Sequence, residues 1–194
     1  MRSLRAFIGA LLVVLSYPLA LGTQLVFGAG AETVIHFVTG AGFVVVATSV
    51  FDFALPRWVN LVGAIAAGLF GVVFLLQGVA DVTKIEGIRF VAFDLLGQWP
   101  ERILPYFVYV WFIALLLLDS TGRSRVLGWI IMPIVVVVEL VTLGALLLQI
   151  PMVNLKVVLL LPFVWLLFEA GERRPVPAIA PRDEGAARSD DPAR

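Results

Sequence analysis

VLGWIIMPIVVVVELVTLGALLLQI, Val126 to Ile150, is an apolar run long enough to cross a bilayer, with a single ionisable residue, Glu139, near its centre. A spanning helix needs roughly 20 apolar residues. A carboxyl group at that depth is costly unless it faces a bundle interior, a cavity or a partner. The run indicates a membrane helix, and Glu139 marks a place where a site can be sought.

Five further apolar runs flank it: Leu4 to Val26, Thr33 to Leu55, Trp58 to Gly78, Ile103 to Leu118 and Met152 to Phe168. Backbone amides inside a bilayer must be paired within the chain, so each run is expected to be a helix. Their many β-branched residues favour strands in water, but the runs lack the polar alternation of a membrane barrel. The composition agrees. The chain has 194 residues, 61% hydrophobic and 14% charged, against about 25% charged in ordinary soluble domains. The expected fold is all-α, a polytopic membrane helical bundle of six transmembrane helices over residues 1–170. Residues 171–194, rich in proline and alternating charge, are expected to form a disordered tail. Pro18, Pro133 and Pro162 are expected to break or bend their helices, whereas Pro105 lies near a helix start and costs little.

Arginine placement sets an expected orientation. Arg2 and Arg5, Arg57, Arg123 and Arg125, and Arg173 and Arg174 all fall on one side of a six-helix arrangement. The positive-inside rule makes that side cytoplasmic, with both termini, in the cell membrane. The opposite side receives Glu32, the 79–102 connection and a tight turn near Pro151. An alternative reading treats the N-terminus as a signal sequence cleaved after Gly22, which leaves five helices.

Several functions are excluded by what the chain lacks. There is no net charge and no basic patch, so nucleic acid is not an expected partner. No cysteine is present, which removes disulfides, thiol catalysis and thiolate metal sites. A single histidine rules out a multi-histidine haem or zinc site within the chain. No nucleotide-binding glycine loop or HExxH motif occurs, and no cofactor or metal is expected.

Two candidate sites remain. A buried one centres on Glu139, with Ser16, Tyr17, Thr48 and Tyr109 at comparable depth; their hydroxyls are suited to hydrogen-bonding the carboxyl. An outer one joins Glu32, His36, Gln77, Asp81 and Glu86. Glu32 and His36 share a helix face at i,i+4 spacing, so the acid is expected to orient the imidazole for proton transfer. The segment from Ile85 to Leu96 reads as an amphipathic cover at the headgroup level, with Ile85, Ile88 and Phe93 or Leu96 on one face and Gly87 and Gly97 permitting bends. Small residues form close-packing rows: Gly63, Ala67 and Gly71, beside Ala64 and Gly68, with Gly40, Gly42, Gly144 and Ala145 on other spans. They serve packing within the chain or a homodimer interface. Asp52 and Arg57 are expected to pair with each other or to anchor the connection between the fourth and fifth spans.

The favoured functional reading is an accessory or lipid-interacting subunit of a membrane assembly, with membrane lipid and a membrane-protein partner or a second copy as the expected associates. A small proton- or cation-coupled transporter using Glu139 is one alternative. A membrane enzyme acting on a lipid-like substrate through Glu139 or the Glu32–His36 pair is the other. The sequence leaves open whether the protein is an enzyme.

Overall fold

A computed structural model describes residues 3–27, 30–97, 100–147 and 160–172. Among them every regular element is helical. Helix α1 runs Leu4–Phe27, α2 Ala31–Ser49, α3 Arg57–Thr83, α4 Glu86–Arg89, α5 Pro100–Leu118, α6 Gly122–Leu147 and α7 Leu161–Gly171. A 3-10 turn, Val50–Asp52, follows α2, and a π-helical turn, Phe90–Leu95, continues α4.

Four helical stretches among the described residues are long and apolar enough to cross a membrane: Leu4–Leu25, Ala31–Asp52, Arg57–Thr83 and Gly122–Val141. Ile103–Leu118 and Leu161–Gly171 are apolar but shorter. Large apolar side chains point outward all along the long helices, including Leu15 on α1, Ile65 and Leu69 on α3 and Ile134 and Val137 on α6. A soluble bundle turns such residues inward, whereas a helix in lipid presents them to its surroundings.

Pro18 and Pro162 act differently from expectation. Pro18 does not break α1, which is continuous to Phe27. Its missing N–H removes one intrahelical bond, and neighbouring helices hold the rest in place. Pro133 likewise lies inside α6. Pro162 does not sit deep in a helix; it lies in the first turn of α7, where an amide has no intrahelical partner to lose. Helix α3 extends past its expected end at Gly78 to Thr83 and stops at Lys84, whose φ of 54° is left-handed.

The helices form a broken ring. Helix α1 packs between α7 and α2, α2 against α3, α3 against α5, and α6 against α7; α5 and α6 touch only slightly. Two of these contacts are backbone to backbone. A Cβ at Gly71 would stand 2.8 Å from the Gly40 carbonyl oxygen, and one at Gly9 would stand 2.9 Å from the Gly42 carbonyl oxygen. Gly63 accepts the Trp111 ring at a distance no Cβ would allow. The small residues of α2 and α3 are therefore used inside the chain, whereas Gly144 meets nothing within 4 Å among the described residues.

Helix α7 is the shortest of the packed helices and the most enclosed. Phe163 meets Phe43 of α2 edge-on at 4.9 Å and Phe112 of α5 at 5.3 Å. Phe43 continues the aromatic contact to Phe70 of α3 at 4.7 Å. Trp111, Phe112, Trp165 and Leu166 complete a fully buried core. Residues 148–159 and 173–194, which include the expected turn near Pro151 and most of the expected tail, lie outside the described residues. Gly171 still belongs to α7, and Glu172 contacts α6.

Candidate functional site

Polar groups gather at the two ends of the bundle and at one point between them. The first gathering, the Arg5 end, is where α1, α3 and α6 begin and α2, α5 and α7 finish. Ser3 caps α1 by accepting the Ala6 N–H at 3.0 Å and donates its hydroxyl to Asp52 at 2.6 Å. Arg5 pairs with the same carboxylate. Asp52 therefore bonds to the start of α1 rather than to Arg57, which is exposed. The connection from α5 to α6 is anchored here through Asp119, which accepts the Ala54 N–H at 2.7 Å. Asn60 donates to the Phe53 carbonyl and accepts from the Trp111 indole, both at 3.1 Å.

Deepest at this end is Glu169, 1% exposed. One of its oxygens accepts from Ser120 at 2.7 Å and from Ser124 at 2.6 Å. Glu172 accepts the Ser124 N–H at 2.9 Å and so caps the start of α6. The Trp165 indole donates to the Ser124 carbonyl at 2.7 Å. Sequence reasoning passed over Glu169, Ser120, Ser124 and Asn60 because each lies at the margin of an apolar run. The available signals were the i,i+4 spacing of Ser120 and Ser124 and an acid one turn after Trp165.

The second gathering is the seam between α5 and α6. The Tyr109 hydroxyl donates to Glu139 Oε1 at 3.4 Å, a long bond. Tyr106 meets Tyr109 edge-on at 6.5 Å. Of the residues expected around Glu139, Tyr109 is bonded to it, and Tyr106, one turn earlier on α5, reaches the same carboxyl. Ser16 and Thr48 are turned back on their own helices, donating to the Val13 and Val45 carbonyls at 2.7 and 2.8 Å. A helical serine or threonine has such a carbonyl always within reach. Tyr17 is half-buried on α1.

The third gathering, the His36 end, is where α2 begins and α3 finishes. His36 Nδ1 lies 2.7 Å from Asp81 Oδ2. The imidazole is thus oriented across the α2–α3 contact by Asp81. Glu32, expected to hold it, is exposed in the first turn of α2, where the helix dipole favours an acid. The His36 ring stands 5.8 Å from Phe74 of α3 and 6.0 Å from Phe93 of the π-helical turn. Gln77, one turn inward from Asp81, is 2% exposed. Thr39, one turn inward from His36, is 5% exposed, and its hydroxyl has no hydrogen-bond partner. Glu86 is exposed at the start of α4. The segment above the site buries Ala92 and half-buries Ile88, Phe93 and Leu96. Ile85 is extended and exposed, not part of that face.

His36 and Asp81 are therefore brought together, with Thr39 and Gln77 buried about one turn inward on α2 and α3, while Glu32 and Glu86 are exposed. Among the described residues no group of three or more acidic or histidine side chains is placed to hold a metal ion. Comparison with protein-family models, curated proteins and solved structures finds no match to this chain.

Proposed function

We propose that the protein is a six-span component of the cell membrane that interacts with lipid, with the Arg5 end in the cytoplasm and the His36 end on the opposite face. In this reading α5 crosses over its full length, Pro100 to Leu118, and α7 belongs to the sixth span. The reading is carried by the contrast between the two ends. At the Arg5 end the described polar groups are bonded to one another above a plug of Phe43, Phe112, Phe163 and Trp165. That arrangement gives no support to a polar path through this end, which a transporter needs. At the His36 end an oriented imidazole lies against Phe93 of an apolar cover, and an unsatisfied hydroxyl lies about one turn deeper on α2. A site of that form, approached from one leaflet, suits a lipid better than an ion in transit.

The absence of cysteine makes topology directly testable. Single-cysteine variants Glu86→Cys, Arg123→Cys and Ala178→Cys are to be labelled in intact cells with a membrane-impermeant maleimide. The expected result is labelling at 86 alone, with 123 and 178 reacting only after permeabilisation. Labelling of 123 from outside would remove α5 as a span, and labelling of 178 together with 86, with 123 still protected, would remove the sixth. Native mass spectrometry of the untagged protein, gently extracted, tests the lipid reading: a defined lipid adduct on the monomer or homodimer supports it. A stoichiometric protein partner without bound lipid favours a purely structural subunit.

A further inference from the structure

Five helical hydroxyls of this bundle share one habit, and Thr39 departs from it. Ser16, Thr23, Thr48, Ser49 and Thr83 each donate to a carbonyl about one turn back on their own helix, at 2.7 to 2.9 Å. The same acceptor type is available to Thr39, yet its buried hydroxyl takes none. An unsatisfied buried hydroxyl is unfavourable and rare in native proteins. It is understandable where a ligand supplies the missing bond.

The neighbouring groups define that ligand. A carboxylate only accepts hydrogen bonds, so in the His36–Asp81 pair Nδ1 is the donor. Nε2 is then the nitrogen left to engage a ligand, and in the neutral ring it accepts. Thr39, on the same side of α2 and one turn deeper, has both a proton and lone pairs to offer. An alcohol or phenol hydroxyl, which donates through its proton and accepts through its lone pairs, can satisfy Nε2 and Thr39 together. The rim carries Glu32, Asp81, Glu86 and Asp94 against Lys84 and Arg89, a balance that disfavours phosphate or a fatty-acid carboxylate. Phe74 and Phe93 flank the imidazole and supply apolar walls. We infer that His36, Thr39 and Asp81 form a binding site for the uncharged hydroxyl headgroup of a lipid in the leaflet facing the His36 end.

This inference rests on the lipid-interacting reading above and narrows it to one headgroup chemistry. Two sources share that chemistry, an acylglycerol and an isoprenoid quinol. The test uses the full chain in detergent micelles with four probes: dioleoylglycerol, its hydroxyl-capped methyl ether, decylubiquinol and dioleoylphosphatidylcholine, with adducts counted by native mass spectrometry across a titration. One or both hydroxyl lipids are expected to bind, and the tighter of the two identifies the source. Capping the hydroxyl, Thr39→Val and His36→Gln are each expected to weaken the glycerol lipid, if that is the ligand, by about tenfold, the effect of one hydrogen bond. For the quinol the two variants give the same reading. Thr39→Val preserves side-chain shape, so its result stands even if His36→Gln fails to fold. Equal binding by the wild type and Thr39→Val, or by capped and free lipid with no quinol binding, overturns the inference. Retention of phosphatidylcholine by wild type and variants alike overturns it while leaving the broader lipid reading intact. Retention of no probe at all overturns both.

Discussion

At the Arg5 end, Glu169 is buried with two serine hydroxyls on one carboxyl oxygen and an indole bonded one residue away. At the His36 end, Thr39 is buried to a similar degree with no partner at all. Both positions take polar atoms out of water, yet the Arg5 end satisfies them from the protein and the His36 end leaves part of the requirement open. The closed end ties together α5, α6 and α7 through Ser120, Ser124 and Glu169, and α1 to α7 through the Ser3 N–H and the Ala170 carbonyl. It holds the ring where α5 and α6 barely touch. Among the described contacts the open end couples α2 and α3 through the His36–Asp81 pair, under a cover a few residues long. The difference separates a group that holds the fold from a group available for binding.

The strongest way to break this contrast is Glu169→Ala. It removes the acceptor of the buried Ser120 hydroxyl, whereas Ser124 keeps the Thr121 carbonyl at 2.9 Å, and it leaves a cavity beside Trp165, so a loss of about 2 kcal/mol is expected. Reversible unfolding in mixed micelles checks it. Lipid adducts at the His36 end should persist in whatever fraction remains folded. A loss below about 0.5 kcal/mol, well under the usual cost of orphaned buried groups, would show that the network is ornamental to stability and that the two ends do not differ as described.

Much of the architecture was legible from the residues. The long apolar runs located α1, α2, α3 and α6 within a few residues, because in lipid length and hydropathy decide helix existence. The second gathering was legible in part: Glu139 and Tyr109 were singled out by depth, and they meet. Ser16 and Thr48 lie at that depth too, but depth along a helix says nothing of azimuth, and each had a nearer carbonyl on its own helix. The partner of His36 was misassigned because i,i+4 spacing is visible in sequence and the contact from Asp81 is tertiary. Glu169 was missed for a related reason. It lies two residues before the break in composition at Gly171, where an acid reads as the beginning of a solvated tail.

A smaller effect of opposite sign sharpens the comparison from the other side. Thr39→Val replaces an unsatisfied hydroxyl with a methyl of similar volume. In the absence of ligand it is expected to stabilise the bundle by about 0.5–1 kcal/mol, since the removed group was desolvated without compensation. The same exchange at Ser16 or Ser49 to Ala removes a bond that is made and should not stabilise. Destabilisation by Thr39→Val in lipid-free protein would mean that the hydroxyl is bonded within the chain, and the two ends would then be alike.

Glu139 tests whether a carboxyl in the middle of a span must belong to either class. It has neither the two short bonds of Glu169 nor the enclosed setting of Thr39. It is met by Tyr109 at 3.4 Å and by Tyr106, across the slightest helix contact of the ring. Bonds between membrane helices average about 0.6 kcal/mol, and a long one should fall below that. Glu139→Gln keeps an acceptor for Tyr109 and removes the acid. The expected change is within about 0.5 kcal/mol in unfolding, with lipid adducts at the His36 end unaltered. A larger loss of stability would move Glu139 to the side of Glu169, as a group that closes the α5–α6 seam. Loss of the adducts with stability intact would move it to the side of Thr39, and the lipid site would then reach from His36 to the middle of the bundle.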